Sequence, residues 1–100
     1  MKEGALIFTT DNGDIRLHQL KTVEPYFSAI KSGEKTFEVR KFDRDFRVGD
    51  FLDLVQCDEN NQRLGEKISK RITYLLTDKP FVPEGYVIMG IVDGVIEITF

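Results

Sequence analysis

Short β-prone runs separated by turn sequences are the feature that most constrains this chain of 100 residues. Ala5 to Thr10 and Ile15 to Leu20 flank Asn12-Gly13, a dipeptide that supplies the positive φ angles of a tight hairpin turn. Further runs follow at Thr36 to Lys41, Phe51 to Cys57, Lys67 to Thr77, Tyr86 to Val92 and Val95 to Phe100. About six or seven short strands with few long apolar faces predict a small closed or nearly closed β-barrel.

One helix is expected between the first hairpin and the third strand. Its apolar stripe has the i, i+3, i+4, i+7 spacing of about two helical turns, formed by Val23, Tyr26, Phe27 and Ile30. Thr22 is the expected N-cap, and Gly33 is free to take the left-handed conformation that ends a helix. The predicted fold class is therefore α+β, mainly β, with one main helix packed at the mouth of the barrel.

Length and composition limit what such a chain does. With 41% hydrophobic and 31% charged residues, residues 1–100 suit one domain with one core, and residues 5–20 form an N-terminal hairpin extension. A net charge of -3 excludes binding of long nucleic acid by bulk attraction alone, but leaves a local phosphate or nucleotide contact open. Cys57 is the single cysteine, so no internal disulfide forms and a cytoplasmic location is expected.

No targeting or membrane-spanning segment is predicted from the sequence. The apolar run near Met1 is too short for a signal peptide, and no stretch approaches the roughly 18 apolar residues of a membrane span. One histidine and one cysteine give no tetrahedral metal site, and no Gly-rich phosphate loop precedes a helix, so neither a metal nor another cofactor is expected.

Charged side chains concentrate between Lys31 and Asp50, where six basic and four acidic residues precede Asp50. Alternation along the strand from Thr36 to Lys41 predicts that Phe37 and Val39 face the core. Glu38 and Arg40 then share the opposite face, about 7 Å apart, close enough to pair or to share a ligand. The loop that follows is expected to be pinned to the core by Phe46 and Val48. Such mixed charge favours a pocket that discriminates between ligands over a site that binds phosphate nonspecifically.

Several further polar residues are candidates for this pocket. Lys35 follows a reversal at the helix end, where one ammonium can point into a cleft, and Lys21 at the helix start can add a phosphate contact. Arg44 lies between two aspartates, so it either reaches a phosphate or locks the loop. His18 is a general base, a base-stacking group or, in the favoured interpretation, a hydrogen-bonded core residue.

Aromatic residues are the remaining candidates. Tyr86 begins a strand beside Gly85 and is a candidate for stacking on a base. A second group would suit a stacking platform, but the periodicity assigns it to the core: Tyr26, Phe27, Phe37 and Phe46.

The order of motifs resembles that of a known family. The matching stretches are His18-x-Leu-Lys-Thr22, Tyr26-Phe-x-x-Ile30, Ser32-Gly-x-Lys-Thr-Phe-Glu-x-Arg-Lys41, Asp43-Arg-Asp-Phe-x-Val-Gly-Asp50 and Gly85-Tyr-Val-x-Met-Gly-Ile91. Together they resemble a branch of the ASCH domains in the PUA-like superfamily, found in phages and bacteria and without an assigned function. The resemblance spans about His18 to Ile91.

This resemblance implies a PUA-like β-barrel whose helix lies beside a cleft for RNA or a modified nucleoside. The wider group has a Gly-x-Lys-x-x-x-x-Arg signature lining that cleft, which falls here on Gly33, Lys35 and Arg40. One enzyme branch with a similar signature is an amidohydrolase acting on acetylated cytidine through a lysine and a threonine three residues later. Lys35 matches the lysine, whereas Glu38 occupies the threonine position, and a carboxylate cannot be the same nucleophile.

Three hypotheses follow from the sequence. The leading one is a cleft for RNA or a modified nucleoside with Lys35, Glu38 and Arg40 as its floor and Lys21 and Arg44 at its rim. The second is a hydrolase on the same cleft, an amidohydrolase or ribonuclease, with Lys35 as base or activator and Glu38 as acid/base. The third is a protein-binding module that uses the N-terminal hairpin as an exposed edge.

Overall fold

The computed structural model describes residues 5–96, which form one six-stranded sheet and one short helix. The elements in chain order are β1 (Ala5–Thr10), β2 (Gly13–Val23), α1 (Tyr26–Lys31), β3 (Phe37–Lys41), β4 (Phe51–Cys57), β5 (Arg63–Leu76) and β6 (Tyr86–Asp93). Their order in the sheet is β1-β2-β4-β5-β6-β3. The pair β2 and β4 is parallel, and the other neighbours are antiparallel.

The mainly-β class with one helix is confirmed, but the sheet is open. Within residues 5–96, β1 pairs only with β2 and β3 pairs only with β6, so these two strands form the edges. Strand pairing therefore does not complete the closed barrel expected from the sequence. No helix in this part of the chain is long and apolar enough to cross a membrane.

The first hairpin forms as predicted, and its second strand is longer than expected. Gly13 has a φ of +112°, the positive value that the Asn-Gly turn requires. β2 continues to Val23 because its second half pairs in parallel with Phe51–Cys57 of β4. Thr22 therefore lies in a strand, and its prediction as the helix N-cap is wrong.

Helix α1 is correspondingly short and begins at Tyr26 after the N-cap Pro25. The carboxylate of Glu24 accepts hydrogen bonds from the Ser28 backbone nitrogen at 3.2 Å and the Ser28 hydroxyl at 2.8 Å, which stabilises the first turn. Phe27 is buried as predicted. Gly33, with a φ of +84°, follows the helix end as predicted.

The core lies on one side of the curved sheet and is closed by the helix and by the loop between β3 and β4. Its buried members are Leu20, Ile30, Phe46, Leu52, Leu54, Ile72, Val87, Met89 and Ile91. β6 was expected to be buried on both faces, but only alternate side chains are buried, because one face of the sheet packs on this core. Phe46 pins its loop as predicted, whereas Val48 is exposed and does not.

A register shift in β5 overturns one predicted face. The sequence places Ile68, Ile72, Tyr74 and Leu76 on the same side of the strand. Pairing with β6 slips between Ile72 and Tyr74, and such an irregularity inverts the alternation beyond it. Tyr74 is consequently 63% exposed, and Leu75 packs against the core instead.

The final predicted strand, Val95 to Phe100, lies only partly within the described residues. Val95 and Ile96 are not in a strand, and residues 97–100 lie outside the described residues.

Candidate functional site

A gap between β2 and β3 contains the candidate site. Among the described residues, β1 covers β2 only from Gly13 to His18, so the C-terminal part of β2 faces β3 across an opening. This opening, the cleft, has a volume of about 500 Å³. Its lining residues are Lys21, Thr22, Val23, Tyr26, Lys35, Phe37, Glu38, Val39 and Arg40.

β3 faces the opposite way from the sequence-based expectation. Glu38 and Arg40 do share one face, but Glu38 is buried at 3% exposure while Phe37 and Val39 are 43% and 47% exposed. Strand alternation divides the side chains into two sets without deciding which set is inside. The charged set lies inside because Lys35 and Arg40 compensate the charge of Glu38, which makes its burial tolerable.

Glu38 forms the floor of the cleft between two cations. Its Oε1 accepts a hydrogen bond from Lys35 Nζ at 2.9 Å, and its Oε2 accepts one from Arg40 Nε at 2.8 Å. Both pairs are charge-assisted, which is the stronger class of hydrogen bond. The three side chains together carry a net charge of +1 within a chain of net charge -3.

Arg40 is held by β2 as well as by Glu38. Its Nη2 donates to the backbone carbonyl of Lys21 at 3.0 Å and to the hydroxyl of Thr22 at 3.2 Å. The Thr22 hydroxyl in turn donates to the carbonyl of Leu20 at 3.3 Å. Thr22 therefore positions a guanidinium in the cleft, a role that differs from the helix cap predicted for it.

Two exposed aromatic rings flank the Lys35 ammonium. Lys35 Nζ lies 5.6 Å from the ring centroid of Tyr26 and 4.8 Å from that of Phe37, within the range of cation–π attraction. Lys35 Nζ also donates to the Phe37 carbonyl at 2.7 Å. The assignment of Tyr26 and Phe37 to the core is thus wrong, since both rings line the cleft. One feature of the sequence could have indicated that the charged face of β3 lies inside. Glu38 has a basic residue three positions before it and another two positions after it.

A second hollow adjoins the cleft at Arg40. It has a volume of about 280 Å³ and is lined by Leu20, Val39, Arg40, Lys41, Asp43, Arg44, Phe46 and Tyr86. Val39 and Arg40 line both cavities, so Arg40 lies between them. Arg44 and Tyr86 are brought together here and do not line the cleft for which they were predicted. Arg44 lies against Phe46, with Cζ 5.7 Å from the ring centroid.

His18 lies in the core, as the favoured interpretation of the sequence had it, and lines neither cavity. Its Nε2 is 2.9 Å from Asp50 Oδ2, and its ring centroid is 4.7 Å from that of Phe46. Burial lowers the pKa of His18, although the hydrogen bond and the charge of Asp50 oppose this. We infer that the neutral imidazole donates from Nε2 to the carboxylate.

Asp50 was not singled out by the sequence. Besides His18 it accepts hydrogen bonds from the backbone nitrogens of Arg16 at 3.1 Å and Arg47 at 3.0 Å. This buried carboxylate therefore ties β2 to the loop that forms one wall of the second hollow. Gly49 before it permits a bend, but no local pattern indicates its two distant partners, Arg16 and His18.

Metal ligation finds no support in the side chains of residues 5–96. Within that range, no three His, Cys, Asp or Glu residues are grouped so as to hold an ion.

A family comparison covers the segment that contains both cavities. A family model described as Domain of unknown function (DUF3850) matches residues 17–91, which is 75 of the 100 residues, and the chain belongs to this family. No curated protein matches the chain. Every residue that lines the cleft or the second hollow lies within the matched segment, whereas β1 lies outside it. The resemblance to ASCH domains is a separate prediction that this match does not test.

Proposed function

We propose that this DUF3850 domain binds a nucleoside base in the cleft, within a short single-stranded RNA segment or as a modified nucleoside. One observation carries the proposal. A buried carboxylate, Glu38, is held between Lys35 and Arg40 at the floor of a cleft whose walls present two exposed aromatic rings.

The aromatic rings suit the face of a base. Tyr26 is 53% exposed and Phe37 is 43% exposed, so both rings have area free for stacking. Stacking of a base on an aromatic side chain contributes about 1–3 kcal/mol and tolerates different bases. The cleft volume of about 500 Å³ lies within the usual range for small-ligand sites, roughly 300–1,000 Å³.

The charged floor suits the polar edge of a base or the hydroxyls of a ribose. A carboxylate has about four acceptor positions, and the two cations use one on each oxygen of Glu38. On this proposal the remaining lone pairs accept from an amino or hydroxyl donor of the ligand, which enters between the two cations. The cations in turn favour a ligand that carries negative charge.

The resemblance to ASCH domains supports the same assignment. Lys35 and Arg40, which match the lysine and arginine of that signature, both line the cleft. On this proposal the open sheet corresponds to a PUA-like barrel in which the gap between β2 and β3 is the ligand opening, and the protein binds its ligand in the cytoplasm.

Titration of the full chain with a mixed-sequence single-stranded RNA over a series of salt concentrations tests this function. Two to three phosphate contacts give a slope of log K against log salt near about -2. Double-stranded RNA of the same length is the comparison, because its stacked bases do not reach the aromatic rings. Absence of RNA and nucleoside binding at low salt contradicts the proposal.

A hydrolase on the same cleft is the second candidate, favoured by one contact. The Lys35 ammonium and the Glu38 carboxylate are 2.9 Å apart, a distance at which proton transfer between the two side chains is feasible. Turnover of RNA or an acylated nucleoside that is lost in both Lys35→Ala and Glu38→Ala supports it. Turnover that is unchanged in both variants excludes these residues as its acid and base.

A further inference from the structure

The second hollow offers a cationic site that the base-binding proposal does not use. Three of its lining residues are basic, namely Arg40, Lys41 and Arg44, and one is acidic, Asp43. Its charged lining therefore has a formal charge of +2. Anions are favoured in such a concavity, since its low-dielectric walls focus the field of the cations.

Arg44, which lines this hollow, carries a donor without a partner. Its Nη1 is buried and has no hydrogen-bond partner. Arg40 has fewer donors left for a ligand, because its Nε and Nη2 already donate to Glu38, Lys21 and Thr22. An unpaired buried N–H is unfavourable. An oxygen ligand beside Arg44 gains the charge attraction, and a shift of the guanidinium toward that oxygen also satisfies the unpaired N–H.

The position of the hollow indicates which anion fits. It adjoins the cleft across Arg40, and it includes the apolar side chains Leu20 and Phe46 and the ring of Tyr86 as well as the cations. The phosphate group of a nucleotide carries one or two negative charges and lies next to the apolar face of the ribose. The planar guanidinium group of arginine matches the geometry of its oxygens. A nucleotide whose base occupies the cleft extends its phosphate toward a neighbouring site.

We propose that the second hollow is the phosphate subsite of the cleft, so that the domain prefers a nucleotide to the corresponding free nucleoside. Arg44 donates to the phosphate oxygens, with Lys41 adding charge. This inference rests on the proposed binding of a base in the cleft and adds the chemical group that must accompany the base.

Calorimetric titrations of the full chain with adenosine, cytidine, guanosine and uridine, and with their 5′- and 3′-monophosphates, test the subsite. In the wild type, at least one monophosphate binds about tenfold more tightly than its nucleoside, as a charge-assisted contact implies. In Arg44→Gln this preference falls below about twofold, while the affinity for the nucleoside is retained.

Arg47→Gln is the matched control. It removes the same charge from the same loop, but the Arg47 side chain pairs with Asp45 at 2.7 Å and lines neither cavity. The control keeps the preference for monophosphate. Circular dichroism of each variant establishes that it is folded, and Arg44→Lys provides a second variant that keeps the charge but lacks the fork, with a preference between those of wild type and Arg44→Gln.

The outcomes separate the two proposals. Equal affinity of wild type for nucleoside and monophosphate overturns the phosphate subsite and leaves base binding in place. An equal loss in Arg47→Gln and Arg44→Gln also overturns it, because bulk charge is then sufficient. If neither nucleosides nor monophosphates bind, the phosphate subsite is overturned, and the RNA titration described above decides the base-binding function.

Discussion

Arg40 of β3 donates a hydrogen bond of 3.0 Å to the backbone carbonyl of Lys21 in β2, although these strands share no ladder within residues 5–96. A side chain thus makes the contact that a backbone donor makes in a continuous sheet. The space between the two strands is the cleft, and the guanidinium reaches across it. The same guanidinium pairs with Glu38, so Arg40 both links the two sides of the opening and contributes to the charge of its floor.

Replacing Glu38 by alanine is expected to destabilise the fold. The change leaves Lys35 and Arg40 close together without their shared carboxylate, and breaking a buried pair in this way costs about 3–5 kcal/mol. We expect the lower end, about 3 kcal/mol, because the side chains of Lys35 and Arg40 are still 16% and 24% exposed and remain partly hydrated.

Urea denaturation measures this change, and Glu66→Ala is its control. Glu66 pairs with Lys31 at the surface, where both side chains are more than half exposed, so its loss changes the unfolding free energy by at most about 1 kcal/mol. Equal effects of the two substitutions would show that Glu38 is not a buried, compensated charge.

Replacing Asp50 by alanine is expected to loosen the loop from Phe42 to Asp50. Three donors lose their acceptor, and each unsatisfied buried group costs about 1–3 kcal/mol, so the unfolding free energy falls by about 3 kcal/mol or more. Hydrogen exchange at the Arg47 amide, which donates to Asp50, accelerates beyond the global change. Asp45→Ala is the control, because the Asp45 carboxylate is 53% exposed and pairs with the side chains of Arg16 and Arg47, whereas the Arg47 amide donates to Asp50. Unchanged exchange at Arg47 contradicts the assigned role.

Protein stability is expected to fall with pH below about 6.5, the ordinary pKa of histidine. Burial lowers the pKa of His18 in the folded state, so the unfolded chain takes up a proton that the folded chain excludes. The stability is complete above the unfolded pKa and declines as the pH drops toward the folded pKa, by at most about 1.4 kcal/mol per pH unit. Arg44 and Arg16, both near His18, act in the same direction.

Chemical denaturation measures this dependence in wild type and in His18→Gln. The pH is varied from about 7.5 to about 5.5, the range in which histidine side chains titrate. Glutamine retains an amide donor for Asp50 but does not titrate, so the slope is expected to disappear. The carboxyl groups whose pKa is lowered, Glu24, Asp45 and Asp93, titrate below this window. An identical slope in the variant assigns the pH dependence to another group.

Truncating either cleft ring is expected to weaken RNA binding without unfolding the domain. Loss of one base-stacking ring costs about 1–3 kcal/mol, or roughly tenfold in affinity, for Tyr26→Ala and for Phe37→Ala. Both rings are largely exposed, so the thermal midpoint changes little. Phe81→Ala is the matched control because this ring is 80% exposed and lines neither cavity. RNA affinity that is equal in all three variants contradicts stacking in the cleft.

Local features of the fold could be predicted from the sequence, and tertiary ones could not. Gly13 and Gly33 reverse the chain where the sequence indicated, because turn and helix-end conformations depend on the residues themselves. Thr22 was assigned to a helix because its neighbours suit a cap, whereas pairing with β4, more than thirty residues away in sequence, keeps it in a strand. The slip between Ile72 and Tyr74 likewise depends on the partner strand.

The candidate site shows the same division. Lys21, Lys35, Glu38 and Arg40 were predicted to share a cleft, and they line one. The prediction of which face of β3 is buried was wrong. The inner face depends on whether the buried charge of Glu38 has partners, and residue spacing alone does not decide this. The position of Arg44 depends on the path of a loop, and that of Tyr86 depends on the start of β6. Together these two elements place both residues in the adjoining hollow.

Val39 and Arg40 line both cavities, so the boundary between the cleft and the second hollow lies at these two neighbouring residues of β3. A compartment wall made of main chain is fixed by strand pairing, whereas a wall made of one side chain changes with a single substitution. A short residue in place of Arg40 removes one of the two shared side chains, whereas the backbone pairing of β3 with β6 does not involve that side chain. The separation of the two cavities is thus encoded at two positions of an edge strand.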